Sequence, residues 1–151
     1  MTTAHRVWSL TEMKGSGPNR PEPTSSDPQT HGDLWETWRL VKDEHIDVLY
    51  SRVAKGTRTG AHIHPETNHY TSVIEGQAFC WMDGEMLALS PGDVVNIPMN
   101  VLHNFGASQE GDVWLVDLTS PACDYSQMQF QPEREQEIAK AFEDALGRRG
   151  K

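Results

Sequence analysis

The sequence has few cysteines, few basic residues and no long apolar run, and each shortage excludes a class of protein. Its two cysteines, Cys80 and Cys123, form neither a disulfide framework nor a CxxC metal motif, which predicts a reduced, cytoplasmic protein. Thirteen basic and 22 acidic residues give a net charge of −9, which argues against nucleic-acid and anionic-membrane partners. Because the chain lacks an apolar run of about 18 residues and an N-terminal apolar core, neither a membrane span nor a signal peptide is expected. A small-molecule substrate is the partner that this composition favours.

What the sequence does contain is a series of short segments typical of β-strands. Residues 15–33 carry four prolines and three glycines among polar residues, so residues 1–33 are predicted to be an N-terminal arm with a proline-rich loop. From Leu34 onward, apolar and polar residues alternate, and Asp83-Gly84 between two apolar runs predicts a hairpin. About eight to ten strands in an all-β antiparallel barrel or sandwich are therefore expected over residues 34–121.

The C-terminal segment, residues 122–151, has a different periodicity. Ile138, Phe142 and Leu146 recur every four residues, which predicts one helix at about 132–146 with a single apolar face. Pro132 suits the first turn of this helix and Gly147 suits its end. We expect the helix to dock on the barrel as a structural brace or a dimer contact.

Three histidines lie within eight positions in the segment "GAHIHPETNHYTSVIEG". His62 and His64 are two residues apart, so on a strand they face the same side, and His69 opens the strand after the next turn. Three imidazoles can therefore converge, and neutral imidazole is a common ligand of first-row metals. A lone histidine is more often a surface or core residue, but this spacing favours a metal site.

These histidines belong to a longer pattern that resembles the first motif of the cupins, G-x5-HxH-x3,4-E-x6-G. Gly56, His62, His64, His69 and Gly76 have the expected spacing. His69 stands where most cupins carry a carboxylate or an amide. The site is therefore similar to the four-histidine members of the family and unlike its three-His-one-Glu members.

A second stretch resembles the second cupin motif, G-x5-PxG-x2-H-x3-N. Gly92, Pro98 and His103 have the required intervals, whereas Asn100 replaces the second glycine of the motif and Ala107 replaces its asparagine. Both replacements concern a turn and its packing. The two motifs span residues 56–107, and the resemblance implies a cupin-type antiparallel β-barrel or jelly roll with one C-terminal helix.

The resemblance implies one divalent transition metal per chain, held by His62, His64, His69 and His103. Fe2+ is favoured, and Zn2+, Mn2+, Ni2+ and Cu2+ suit imidazole ligands as well. Four neutral ligands leave the charge of the ion uncancelled, so an anionic substrate such as an enolate or a phenolate is expected at the open coordination positions.

The residues around the metal are less strongly specified. Parity along the strands and the position of the first strands at the mouth of cupin barrels suggest a substrate cavity formed by Trp38, Arg39, Phe79, Trp81 and Phe105. Ordinary core packing is the alternative for the aromatic residues, and a salt bridge is the alternative for the arginine. Glu66, in the turn between the histidines, is a candidate general acid or base or else a solvated loop residue.

Three functions fit this pattern. The favoured one is a metal-dependent dioxygenase acting on an enolisable or aromatic small molecule. The second is non-oxidative Lewis-acid chemistry, as in a zinc-dependent polyketide cyclase, an isomerase or a lyase. The third is a cupin that binds a ligand without catalysis. Because cupins commonly dimerise, a homodimer is expected.

Overall fold

Two five-stranded antiparallel sheets form the body of the protein. A computed structural model describes residues 7–15, 20–21, 35–123 and 127–147. Within these residues the chain has ten strands: β1 (Trp35–Lys42), β2 (Asp47–Val53), β3 (His62–Ile63), β4 (Asn68–Glu75), β5 (Ala78–Met82), β6 (Glu85–Leu89), β7 (Val94–Ile97), β8 (His103–Ala107), β9 (Val113–Ser120) and β10 (Gln129–Phe130). Two helices complete the described fold: α1 (Leu10–Lys14) and α2 (Glu135–Gly147), the latter preceded by a 3-10 turn, Pro132–Arg134.

The first sheet has the strand order β1-β2-β9-β4-β7, with β2 and β4 flanking β9. In the register between β2 and β9, Leu49 lies opposite Asp117 and Val53 lies opposite Val113. Because side chains alternate along a strand, this register directs every second residue of β2 and β9 into the barrel. Alternation of this kind places Asp117 inside the barrel together with Leu115.

The second sheet has the order β10-β3-β8-β5-β6. Its hairpin between β5 and β6 turns at Asp83 and Gly84, whose φ angles of 43° and 95° are the left-handed values that a two-residue turn requires. Across β5 and β8, Cys80 lies opposite Phe105 and Trp81 lies opposite Asn104. This register decides which aromatic residues face the interior.

Three clusters of buried side chains hold the fold together. The largest lies between the two sheets and includes Val73, Cys80 and Leu115. A second lies on the outer face of the second sheet, where α2 packs its apolar side, and a third lies where α1 covers the outer face of the first sheet. A Cβ atom at Gly106 would stand 2.4 Å from the ring of Phe142, so the absence of a side chain there permits α2 to approach β8 closely.

The predicted all-β antiparallel fold with one C-terminal helix is confirmed, and that helix lies close to the predicted 132–146. Most of the predicted N-terminal arm, residues 1–33, falls outside the described residues. Within that arm the short helix α1, whose Met13 is fully buried, was not predicted. Among the described residues, neither helix has the length and apolar character needed to cross a bilayer.

Candidate metal centre

Both sheets contribute histidines to one buried cluster. His62 on β3 lies opposite His103 on β8 in the second sheet, and His64 follows β3 by one residue. His69 comes from β4 of the first sheet. The ring centroids of His62 and His103 are 4.6 Å apart, and His69 lies 5.4 Å from both His64 and His103. All four side chains are at most 8% exposed.

Three of these histidines form the tightest group. One ring nitrogen from each of His62, His64 and His103 lies within 4.8 Å of the other two, which is a spacing that allows a shared metal ion. The Nε2 atoms of His62 and His64 are 3.1 Å apart. His69 stands beside this group, with its Nδ1 3.4 Å from Nε2 of His103.

Backbone carbonyls fix the tautomers of two of these rings. The Nδ1–H of His62 donates to the carbonyl oxygen of Gly60 at 2.8 Å, and the Nδ1–H of His103 donates to that of Val101 at 2.9 Å. Because a carbonyl can only accept, the proton of each neutral ring is on Nδ1 and the lone pair is on Nε2. Both lone pairs therefore point into the cluster.

Side chains hold the outer nitrogens of the other two rings. The sulfur of Cys123 lies 3.2 Å from Nδ1 of His64, and in the tautomer in which this Nδ1–H donates to the sulfur, Nε2 is free to coordinate a metal. The Nε2–H of His69 donates to Oδ1 of Asp117 at 3.0 Å, so Nδ1 of His69 faces inward. An outer partner of this kind orients a metal-binding histidine in most metalloproteins.

Burial favours the neutral form of three of the clustered imidazoles, those of His62, His64 and His103. Loss of hydration lowers the pKa of His62 to about 4 and that of His64 to about 2, and the pKa of His103 is also well below its usual value, mainly because of burial. Burial alone would raise the pKa of Asp117, but hydrogen bonds from His69, Ser51 and Thr71 outweigh it and the net shift is downward.

This donor set fits a divalent transition metal. The facing nitrogens of His69 and His103 each belong to a ring whose other N–H donates outward, so both can offer a lone pair to a metal ion. Neutral imidazole nitrogens suit iron, copper, nickel and zinc. The three tightly grouped histidines support a metal site, with His69 placed to be a fourth ligand.

A narrow cavity of about 30 Å³ opens beside the cluster. This volume holds on the order of two water-sized molecules. Five apolar side chains make up much of the wall, together with two carboxylates, two threonines and three histidines. The lining residues are Trp35, Asp47, Leu49, Val53, Thr59, His62, His64, His69, Phe105, Leu115, Asp117 and Thr119.

Comparison with known proteins identifies this architecture. Residues 49–119 match the model of the cupin domain. A cupin-like protein from Thermotoga maritima is 28% identical, with a TM-score of 0.55 over 68% of this chain and 78% of that one. A structure from work on the DMSP lyases RdDddP and RnDddQII has a TM-score of 0.63 at 18% identity, over 74% of this chain and 62% of that one. The fold of the two sheets is therefore similar to that of the cupin barrel.

One curated relative is similar in sequence to part of this chain. Quercetin 2,3-dioxygenase of Bacillus subtilis (strain 168) is 33% identical over 63 residues, which are 42% of this chain. The chain spans only about a fifth of the length of that relative, since the match covers 19% of it. The similarity therefore concerns part of this chain and a small part of the larger protein.

Of the five predicted cavity residues, Phe105 lines the cavity and three aromatic residues do not. Phe79 and Trp81 lie on the outer face of the second sheet beneath α2. The reason is the register of β5 and β8, in which Cys80 is the residue that shares the inner face with Phe105. Trp38 lies on the outer face of the first sheet, stacked on Trp114 at 5.4 Å between ring centroids. The structure thus places these three residues outside the lining of the cavity beside the histidines.

Arg39 does not line the cavity itself but binds a carboxylate that does. Its Nε and Nη2 donate to the two oxygens of Asp47 at 3.0 and 3.2 Å, and Asp47, which is 1% exposed, lines the cavity wall. Arg39 therefore forms a salt bridge, as the alternative interpretation expected, although its partner Asp47 is buried and not on the surface. Arg39 therefore pairs with a carboxylate that would otherwise have no cationic partner inside the barrel.

Glu66 is exposed, outside the cavity beside the histidines. It lies instead at a separate depression on the far side of His64, together with Cys123. This position argues against the predicted role of Glu66 as an acid or base next to the metal and favours the alternative of a solvated loop residue.

Asp117 and Cys123 are site residues that the sequence analysis missed. For Asp117 a signal was present, because it continues the inward parity of Val113 and Leu115 along an otherwise apolar strand. A carboxylate on the inner face of a barrel strand needs a buried partner. Cys123 gave no comparable signal, because its approach to His64 depends on how the chain returns after β9.

Proposed function

We propose that this protein is a metal-dependent cupin enzyme that acts as a dioxygenase on a small enolisable or phenolic compound. One observation carries the proposal: four buried imidazoles lie close together, and the outer nitrogen of each contacts a polar group of the protein. His62, His64 and His103 supply three ligands, and His69 supplies the fourth. A divalent transition metal bound there would provide Lewis acidity and, if it is redox-active, electron exchange with O2. Iron is the metal that this proposal favours.

The surrounding residues define what the site does to a substrate. The rings of Trp35 and Phe105 and the side chain of Leu115 exclude water from the space beside the histidines, and a dry wall strengthens electrostatic interactions there. An enolic or phenolic oxygen ionises readily, so binding such a group requires only a weak base.

The carboxylates of the cavity favour oxygenation over a reaction that shuttles a proton through a side chain. Asp47 accepts two hydrogen bonds from Arg39. Asp117 accepts hydrogen bonds from Ser51, Thr71 and His69. Neither has an oxygen free of a protein donor, whereas an isomerase or lyase needs an acid or base that can exchange its proton with the substrate.

Metal analysis and oxygen uptake test this function together. The protein should be purified without a histidine tag, its metal identified by mass spectrometry, and O2 uptake measured with small diketones and catechols, with quercetin as a bulky comparison. We expect stoichiometric iron and uptake with a small substrate that is lost in His62→Ala and His103→Ala. The variant Glu66→Gln is the matched control and should retain turnover.

The same experiment identifies the alternatives. Stoichiometric zinc without O2 uptake would overturn the dioxygenase assignment in favour of the cyclase, isomerase or lyase. A preparation that takes up no stoichiometric metal, with or without metal supplied during growth, would overturn both and favour a cupin that only binds a ligand.

A further inference from the structure

Asp117 stands directly behind the histidine that distinguishes this chain from most proteins with the same motif. Its Oδ1 accepts the Nε2–H of His69 at 3.0 Å, on the side of the ring that faces away from the other histidines. The position of His69 is the one where the motif commonly has a carboxylate. A carboxylate is thus present in this barrel too, but it is one imidazole ring further from the centre.

The surroundings of Asp117 preserve its negative charge. Ser51 Oγ donates to Oδ2 and Thr71 Oγ1 donates to Oδ1, each at 2.6 Å, and the residue is 7% exposed. Within the described part of the chain, its hydrogen-bond partners are these two hydroxyls and His69, so no lysine or arginine neutralises it. The carboxylate of Asp117 therefore keeps its negative charge, and its Oδ1 contacts the ring of His69.

We propose that Asp117 is a positioning residue that orients His69 and lowers the effective positive charge of the metal centre through that ring. This inference rests on the proposed metal site and deepens it. Through its strong hydrogen bond, Asp117 makes His69 a more electron-rich ligand than a neutral imidazole. The centre then resembles one with three histidines and one carboxylate, and it binds anions less tightly than a centre with four unassisted histidines.

The substitution Asp117→Asn removes the charge and keeps the shape. With cobalt(II) as the probe metal, followed by its visible absorption, we expect the affinity of the protein to fall by about 10- to 100-fold. In the cobalt-loaded protein, azide affinity should rise by about tenfold, because the negative charge near the ion has been removed. Ser51→Ala is the matched control: it deletes one hydrogen bond to Asp117 but no charge, so azide affinity should stay within about twofold of the original.

A charge swap separates this role from a structural one. In the double variant His69→Glu with Asp117→Asn, the carboxylate moves to the ligand position, and both cobalt and azide affinities should return towards the wild-type values. If Asp117→Asn does not fold, Asp117→Ser also removes the charge and leaves all four histidines in place, so it should raise azide affinity in the same way. Unchanged azide affinity in the folded single variants, or no recovery in the double variant, would overturn the proposal. Failure of the wild-type protein to bind cobalt would instead overturn the proposed function.

Discussion

Mild acid should destabilise the metal-free protein, because three buried histidines cannot accept protons without disrupting the fold. The pKa of His62 is lowered to about 4 and that of His64 to about 2, and the pKa of His103 is lowered as well. In the unfolded chain each of these groups returns to an ordinary pKa of about 6.5. Below that value the unfolded state binds protons that the folded state does not, so the free energy of unfolding falls as the pH falls.

The magnitude follows from the pKa difference. Between pH 7 and pH 5.5 each unfolded histidine becomes mostly protonated while its folded counterpart stays neutral, which costs about 1 kcal/mol per residue and 3 to 4 kcal/mol for the three. Because a domain of this size has a total stability of about 5–15 kcal/mol, this loss is large enough to measure. The loss should continue until the pH reaches the folded pKa values, near 4 for His62.

Urea denaturation at the two pH values, with a chelator present, measures this loss directly. In His64→Asn the difference in the free energy of unfolding between pH 7 and pH 5.5 should be smaller than in the wild type by about 1 kcal/mol, since one of the three buried histidines has been removed. His45→Gln is the matched control because His45 is exposed. Between pH 7 and pH 5.5, this variant should lose as much free energy of unfolding as the wild type does. An equal pH dependence in His64→Asn and the wild type would refute the reasoning.

Three further predictions concern packing and the outer partners of the histidines. Phe142→Ala should lower the free energy of unfolding by about 3–5 kcal/mol in denaturant titrations, yet leave metal content unchanged, because α2 packs on the outer face of the barrel. At Gly76, where φ is 90° and an added Cβ would meet a backbone oxygen at 2.5 Å, alanine should be more destabilising than at Gly92, where φ is 97° but the space is open. Cys123→Ala should weaken cobalt binding by about tenfold by releasing Nδ1 of His64, whereas alanine at the other buried cysteine should change stability alone.

Local patterns in the sequence were sufficient to predict the elements that carry the site. The hairpin at Asp83-Gly84 and the helix that contains Phe142 depend on turn chemistry and on periodicity, which are properties of neighbouring residues. The convergence of His62 and His64 likewise follows from their separation of two along a strand. Asn100, which replaces a glycine of the second motif, adopts a φ of 66°, a left-handed value that asparagine tolerates.

Cavity residues could not be predicted in the same way, because parity shows which side chains share a face but not which face is inside. Phe79 and Trp81 do share a face, as do His103 and Phe105. Only the register between β5 and β8 reveals that the two pairs lie on opposite faces. That register depends on tertiary pairing between distant segments, and a shift of one residue would reverse it. The metal identity, the homodimer and the cytoplasmic location stay predictions.

The candidate centre depends on the packing of the two sheets and not on either sheet alone. His62 and His103 are held within the second sheet, whereas His69 and Asp117 belong to the first. The sheets come together through the apolar cluster between them, so the four ring nitrogens converge only in the folded barrel. Because the unfolded chain has no such convergence, the free energy of metal binding adds to the free energy of folding. An HxH pair on an isolated hairpin lacks this coupling, since the groups that complete and orient the site come from the opposite sheet.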